Sequence, residues 1–243
     1  MANPILNENT FMQNYGVYNL PDIMTKQGVT LKTAGLLALV TIAGAFSWMM
    51  VPAMGASANL ILIGSIIIGL ILGLIIPFKP TWSPFLAPIY AVVEGVFLGA
   101  VSCYFEAAMP GIVFQAVVAT LAIFFSILAL YSSGVIVVTR KVRSVIIALT
   151  VSVFVIYLVS FLLSLAGIRV PFIYDASPIG IAINVIIMII AAANLLIDFD
   201  NIEKGINYSA PKYFEWYCAY GTMVTIVWIY IEVLRLLAKL KRR

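Results

Sequence analysis

Thr33–Phe78 reads TAGLLALVTIAGAFSWMMVPAMGASANLILIGSIIIGLILGLIIPF and holds no charged side chain between Lys32 and Lys79. A helix rising 1.5 Å per residue crosses a hydrocarbon core in about 20 residues, so this stretch is long enough for two spans. Met54-Gly55-Ala56-Ser57 breaks it, giving span 1 at about Leu31–Val51 and span 2 at about Asn59–Phe78. A closed β-barrel would instead show alternating segments of about ten residues, and these runs do not alternate.

The pattern repeats along the chain. Lys79-Pro80-Thr81-Trp82-Ser83-Pro84 is a turn, and span 3 follows at about Pro84–Tyr104. Met109-Pro110-Gly111 separates it from span 4, about Ile112–Ser133. Arg140-Lys141-Val142-Arg143 reads as a basic hinge before span 5, Ser144–Ala166, and Arg169–Pro178 reads as a loop. Span 6 covers about Ile179–Ile197, and span 7 about Phe214–Leu237. The expectation is an all-α integral membrane protein of seven transmembrane helices. Residues 1–30 form an N-terminal segment, 31–237 one membrane domain, and 238–243 a basic tail.

Composition agrees. Hydrophobic residues make up 63% of the 243 and charged residues 10%, with a mean hydropathy of +1.11. Soluble domains carry about a quarter charged residues, so too few are present to cover a water-facing surface. The N-terminal residues lack a basic start, an apolar core and a small-residue cleavage site in order, and no cleavable signal is read there. The 14 Lys and Arg against 10 Asp and Glu report orientation rather than a nucleic-acid partner. With seven spans the N-terminal side carries Lys26, Lys32, Lys79, Arg140, Lys141, Arg143, Lys204 and Lys212, against Arg169 and the tail on the other. That asymmetry places the N-terminus in the cytoplasm and the chain in the plasma (inner) membrane, although the basic tail pulls the other way.

Several chemistries are excluded. His is absent, which removes Ser-His hydrolysis and the commonest metal ligand. Cys103 and Cys218 form no C-x-x-C pair, and no zinc spacing exists. No phosphate loop or nucleophile elbow is present, so neither an enzyme nor a cofactor is expected.

What remains is a set of carboxylates. Glu94 lies ten residues past Pro84, about 15 Å into a core about 30 Å thick. An ionisable group there costs about 2.5–3.5 kcal/mol on insertion scales and marks an ion or proton path by default. The alternative is a neutral Glu bonded to a neighbouring helix for packing. Ala91, Gly95, Gly99 and Cys103 form a small ridge on which another helix can approach closely, as do Gly69 and Gly73 in span 2. Asp198 ends a charge-free run and shares a helical face with Asn194. Asp200 lies on roughly the opposite face and is spaced for an ordinary pair with Lys204. In span 7, Glu215, Thr222, Thr225 and Glu232 form a polar stripe that drifts about 20° per seven residues, as suits a helix inside a bundle. Glu232 and Arg235 are spaced for a local ion pair, and Trp82, Trp216, Tyr217 and Tyr220 read as interface anchors.

These residues together resemble a family. Ala87-Pro88-Ile89-Tyr90-Ala91-Val92-Val93-Glu94-Gly95 is similar to the Glu-Gly helix of the Bax inhibitor family. Asn3-Pro4, Met24 to Val29, Leu196 to Glu203, Ala210-Pro211-Lys212 and Glu215-Trp216-Tyr217 resemble its YccA-like bacterial branch. Ile231 to Leu237 resembles the family's closing Leu-Arg-Leu-Leu. The resemblance implies six helices wrapped around a central seventh, and a calcium leak gated by proton uptake on carboxylates. It implies a latch between an acid at the end of helix 6 and one on helix 7. Asp198 matches the first position. Counting back from Arg235, the second falls on Thr225, and span 2 lacks the Arg that accompanies a full latch. An acid partner for Asp198 would then have to be Asp200 or Glu215.

Two functions follow as expectations. The first is a cation leak through which calcium is transported, with Glu94 and Asp198 as its oxygen ligands. The second is a non-conducting regulatory protein that binds a membrane AAA protease, as the resemblance implies, through Ala2–Gly28. A secondary transporter would need broken helices in matching positions, and Pro88 is the only candidate break.

Overall fold

The computed structural model describes residues 23–168 and 175–242. Most of the Ala2–Gly28 segment and of the Arg169–Pro178 loop therefore lies outside the described residues. Among the described residues seven α-helices follow one another: α1 (Lys26–Met54), α2 (Ala58–Phe78), α3 (Ser83–Ala108), α4 (Ile112–Ser132), α5 (Arg140–Leu165), α6 (Pro178–Asn207) and α7 (Phe214–Lys241). Six of them, α1 to α6, are long and apolar enough to cross a membrane. The seventh is as long but diluted by tyrosines, threonines and two glutamates. Large apolar side chains such as Leu60, Phe85, Phe114 and Phe154 stand exposed, as they do when the solvent is lipid.

The helices outrun the apolar spans. α1 starts at Lys26 because Thr25 is extended and its hydroxyl accepts from the Gly28 amide at 3.0 Å. Arg140–Arg143 is no hinge: Thr139 caps Val142 in the same way at 3.3 Å, and the basic residues form the first turn of α5. α6 does not stop at Ile197. It runs to Asn207, so the charged cluster beginning at Asp198 is helical throughout. Pro88 lies inside α3 without interrupting it. Gly111 precedes α4 with φ of 79°, a left-handed conformation that glycine adopts freely.

Backbone contacts divide the chain into two compact units. The N-terminal unit contains residues 23–108 and 200–224, hence α1 to α3, the end of α6 and the start of α7. Its tightest contact is α1 against α3. A methyl group at Gly95 would sit 2.5 Å from the Val40 carbonyl oxygen, and one at Gly99 would overlap that of Gly44. Ser47 donates to the Val96 carbonyl at 2.8 Å across the same crossing. The Gly95–Gly99 ridge thus does what its spacing predicts. Gly69 and Gly73 do not: they face side chains of α3 and α7 rather than backbone. The chain before α1 is held at Met24, whose amide donates to the Ala210 carbonyl at 2.7 Å.

The C-terminal unit contains residues 109–168, 175–199 and 225–242. Val153, Ile187 and Ile190 form its apolar cluster, with Tyr157, Ile183 and Trp228 packed against it. In each unit the α7 residues are mostly buried. That corrects one expectation. Tyr217 and Tyr220 are core residues with almost no exposed surface, whereas Trp82 is 54% exposed and remains outward. The hydroxyl-bearing rings are buried because other rings pack edge-on against them, Phe214 against Tyr217 and Tyr90 against Tyr220.

Without a hydrophobic force between helices in lipid, the α1–α3 contact depends on backbone approach. Gly99→Ala is expected to destabilise the fold by about 1–3 kcal/mol, the usual overpacking cost. Gly35→Ala, where a methyl meets nothing within 4 Å, should be near neutral. Thermal unfolding in micelles compares them, and equal midpoints would contradict the close crossing.

Candidate functional site

In the C-terminal unit, Asp198 is the last but one α6 residue and has no exposed surface. Thr225 of α7 is 4% exposed and donates its hydroxyl to Asp198 Oδ2 at 2.6 Å. A hydrogen bond to an ionised carboxylate is among the stronger ones a protein makes. One turn before Asp198, the Asn194 amide donates to the Thr150 hydroxyl of α5 and to the Ile190 carbonyl, each at 2.8 Å. α6 is thus bonded to a hydroxyl of α7 through Asp198 and to a hydroxyl of α5 through Asn194. The residue counted to the helix-7 latch position does meet Asp198, with a hydroxyl in place of the acid.

Glu232 is a second buried centre, 1% exposed. Tyr157 Oη of α5 donates to its Oε1 at 2.7 Å, and Asn184 Nδ2 of α6 donates to Oε2 at 2.9 Å. Trp228 Nε1 adds 3.3 Å and Arg235 Nη1 3.5 Å, both to Oε1. The expected Glu232–Arg235 pair exists but is the longest of the four contacts. Arg235 also lies over the Tyr157 ring, 5.1 Å from its centroid. Lys239, beyond the apolar run of α7, donates to the Gly180 carbonyl at 2.9 Å.

In the N-terminal unit, Glu94 is half-buried and turned inward rather than toward lipid. A methyl group at Gly69 of α2 would stand 3.7 Å from Glu94 Oε2. Tyr90, one turn earlier on α3, hydrogen-bonds the carboxyl. The Tyr90 and Tyr220 rings meet edge to face with centroids 4.9 Å apart. Asp200 pairs with Lys204 at 3.2 Å, as its spacing predicts. Thr222 bonds back along its own helix to the Cys218 carbonyl at 3.1 Å.

Glu215 is taken up by α1. Its Oε1 accepts from the Thr25 amide and hydroxyl, each at 2.9 Å, and its Oε2 pairs with Lys32. The Lys32 ammonium lies 5.5 Å from the centre of the Trp216 ring. A methyl group at Gly28 would overlap the Glu215 carboxylate. Asp198 takes its bond from Thr225, while Glu215 is bonded to Thr25 and Lys32, and Asp200 pairs with Lys204.

Sequence reasoning missed Tyr157, Asn184 and Trp228 around Glu232, and Lys32 and Thr25 around Glu215. Asn184 carried a signal, an amide in the middle of an apolar run. Lys32 carried none, since its partner is 183 residues away.

Fold and buried carboxylates together define a polytopic helical membrane protein with ionisable groups held inside its helix bundle. Residues 3–242 match the family described as Bax inhibitor 1 like, and the chain belongs to that family. No curated protein and no solved structure matches it.

Replacing the buried acid at Glu215 by its amide keeps one oxygen for Thr25 and takes the anion away from Lys32. Glu215→Gln is expected to cost about 1–3 kcal/mol. Gly28→Ala, which displaces the same carboxylate, should cost a similar amount, and the double variant little more than either alone. Denaturant unfolding of the four proteins checks this. Strict additivity would show that Gly28 and Glu215 do not share one contact.

Proposed function

We propose that the chain is a cation leak of the plasma (inner) membrane, with its N-terminal side cytoplasmic, in which calcium is the ion transported and proton occupancy of buried carboxylates sets the flux. The observation that supports this best is Asp198, wholly buried at the membrane-embedded end of an apolar run and held by Thr225 at 2.6 Å. A carboxylate is retained in such a place at a cost of several kcal/mol, and ion passage is the common reason. Calcium is a hard cation that takes oxygen ligands in flexible geometry. Asp198, the hydroxyls of Thr225 and Thr150, and the Asn194 amide oxygen supply that chemistry. Among the described residues no group of three or more acidic, Cys or His residues could hold an ion in place, and calcium in this reading is cargo.

Protonation acts on the same atoms. A proton on Asp198 removes one negative charge and one ligand oxygen, so flux falls as pH falls. The Thr225 hydroxyl cannot share a proton as a second acid would. Where the latch of the family pairs two acids, Asp198 here meets a hydroxyl donor.

Calcium entry into proteoliposomes tests the reading. Wild type should leak, and Asp198→Asn should fall to the rate of protein-free vesicles. Thr225→Asp places a second carboxylate against the first, and like charges that close push one protonation upward. Acid inhibition should then begin at higher pH than in wild type. An Asp198→Asn leak equal to wild type would overturn the proposal.

A further inference from the structure

The N-terminal unit holds a graded row of polar groups that the calcium reading leaves unused. α2 ends, and α3 and α7 begin, at one membrane face. Counting about 1.5 Å per residue from those ends gives depths. Tyr217 lies about 5 Å in, Gly73 and Tyr220 about 8–9 Å, Tyr90 about 10 Å, and Gly69 and Glu94 about 14–16 Å. The row therefore leads from that face to the middle of the membrane.

Contacts tie the row together. A methyl group at Gly73 would lie 3.6 Å from the Tyr220 hydroxyl and 3.6 Å from the Tyr90 ring. One at Gly69 would lie 3.7 Å from the Glu94 carboxylate. The two glycines leave α2 without side chains where the phenols and the acid need room. Tyr217 and Tyr220 are three apart and share a face of α7, close enough to interact electrostatically. The Tyr217 ring packs edge-on against Phe214. Its hydroxyl is fully buried and has no hydrogen-bond partner among the described residues. A phenol left so inside a membrane protein costs free energy unless water reaches it.

Calcium does not suit this row. Glu94 is its only carboxylate, and the groups facing it are Tyr90 of α3, Tyr220 of α7 and the bare backbone of α2 at Gly69. One negative charge among phenols balances one positive charge, and phenols with water pass protons by exchanging hydrogen bonds. We propose that Tyr217, Tyr220 and Tyr90 line a water-fed half-channel by which Glu94 takes a proton from the membrane face where α3 and α7 begin. The step is a simple transfer: hydronium gives its proton to the Glu94 carboxylate, leaving water and a neutral acid. The role as regulator of flux rests on the cation-leak reading, whereas proton loading itself does not.

Two measurements separate the two. In infrared difference spectra of the reconstituted full chain, acidification should raise a protonated-carboxyl C=O band that Glu94→Gln lacks. That band should shift promptly in D2O because water reaches the acid. Tyr217→Phe and Tyr220→Phe should each slow the shift by roughly three- to tenfold, the worth of one hydrogen bond. In oriented vesicles, Glu94→Gln should lose the part of the pH response of the calcium leak set at that one face. If no leak exists in wild type, the cation reading falls and the infrared result still decides the proton site. A band unaltered in Glu94→Gln, or one that resists exchange in D2O, overturns the half-channel. Circular dichroism equal to wild type confirms that Glu94→Gln has folded.

Discussion

A carboxylate surrounded by helices in a bilayer must find every hydrogen bond within the protein, because lipid offers none. The end of α6 and the whole of α7 are arranged around that constraint. Asp198 receives the Thr225 hydroxyl, Glu232 receives a phenol, an amide and an indole, and Glu215 receives α1. Each acid takes at least one donor from another helix or its cap. The polar residues of α7 therefore specify which surfaces pack, where apolar contacts alone would leave helices free to slide.

The three acids are satisfied in different ways, and the differences bear on function. Glu215 is neutralised by Lys32 and locked by Thr25 and Gly28, so it anchors the start of α1 rather than waiting for an ion. Glu232 is surrounded by four donors, with Arg235 the most loosely held. Asp198 differs again, taking a short bond from a neutral hydroxyl on the next helix.

Much of the fold was legible because the bilayer writes a plain code. Apolar runs of about 20 residues located the spans, even where α3 and α7 carry acids, and small residues at fourfold spacing marked the face of α3 that another helix approaches. Helix ends were less legible, since Thr25 and Thr139 extend α1 and α5 through side-chain caps that hydropathy does not see. The tyrosines of α7 misled for a related reason. A phenol reads as an interface anchor until the surrounding helices are known, and here packing buries Tyr217 and Tyr220 entirely. The Asp198–Thr225 contact was reachable only through the family resemblance, by counting back from Arg235 to the position it implies, because hydrogen-bond partners on separate helices leave no local pattern.

Central to the account is that Thr225 and Asp198 act as one hydrogen-bonded pair. A double-mutant cycle on Asp198→Ala and Thr225→Val, read by unfolding in micelles, tests it most directly. The account predicts a coupling of about 1–3 kcal/mol, the value of a hydrogen bond to a charged group. Additive losses would show that the two side chains do not act together.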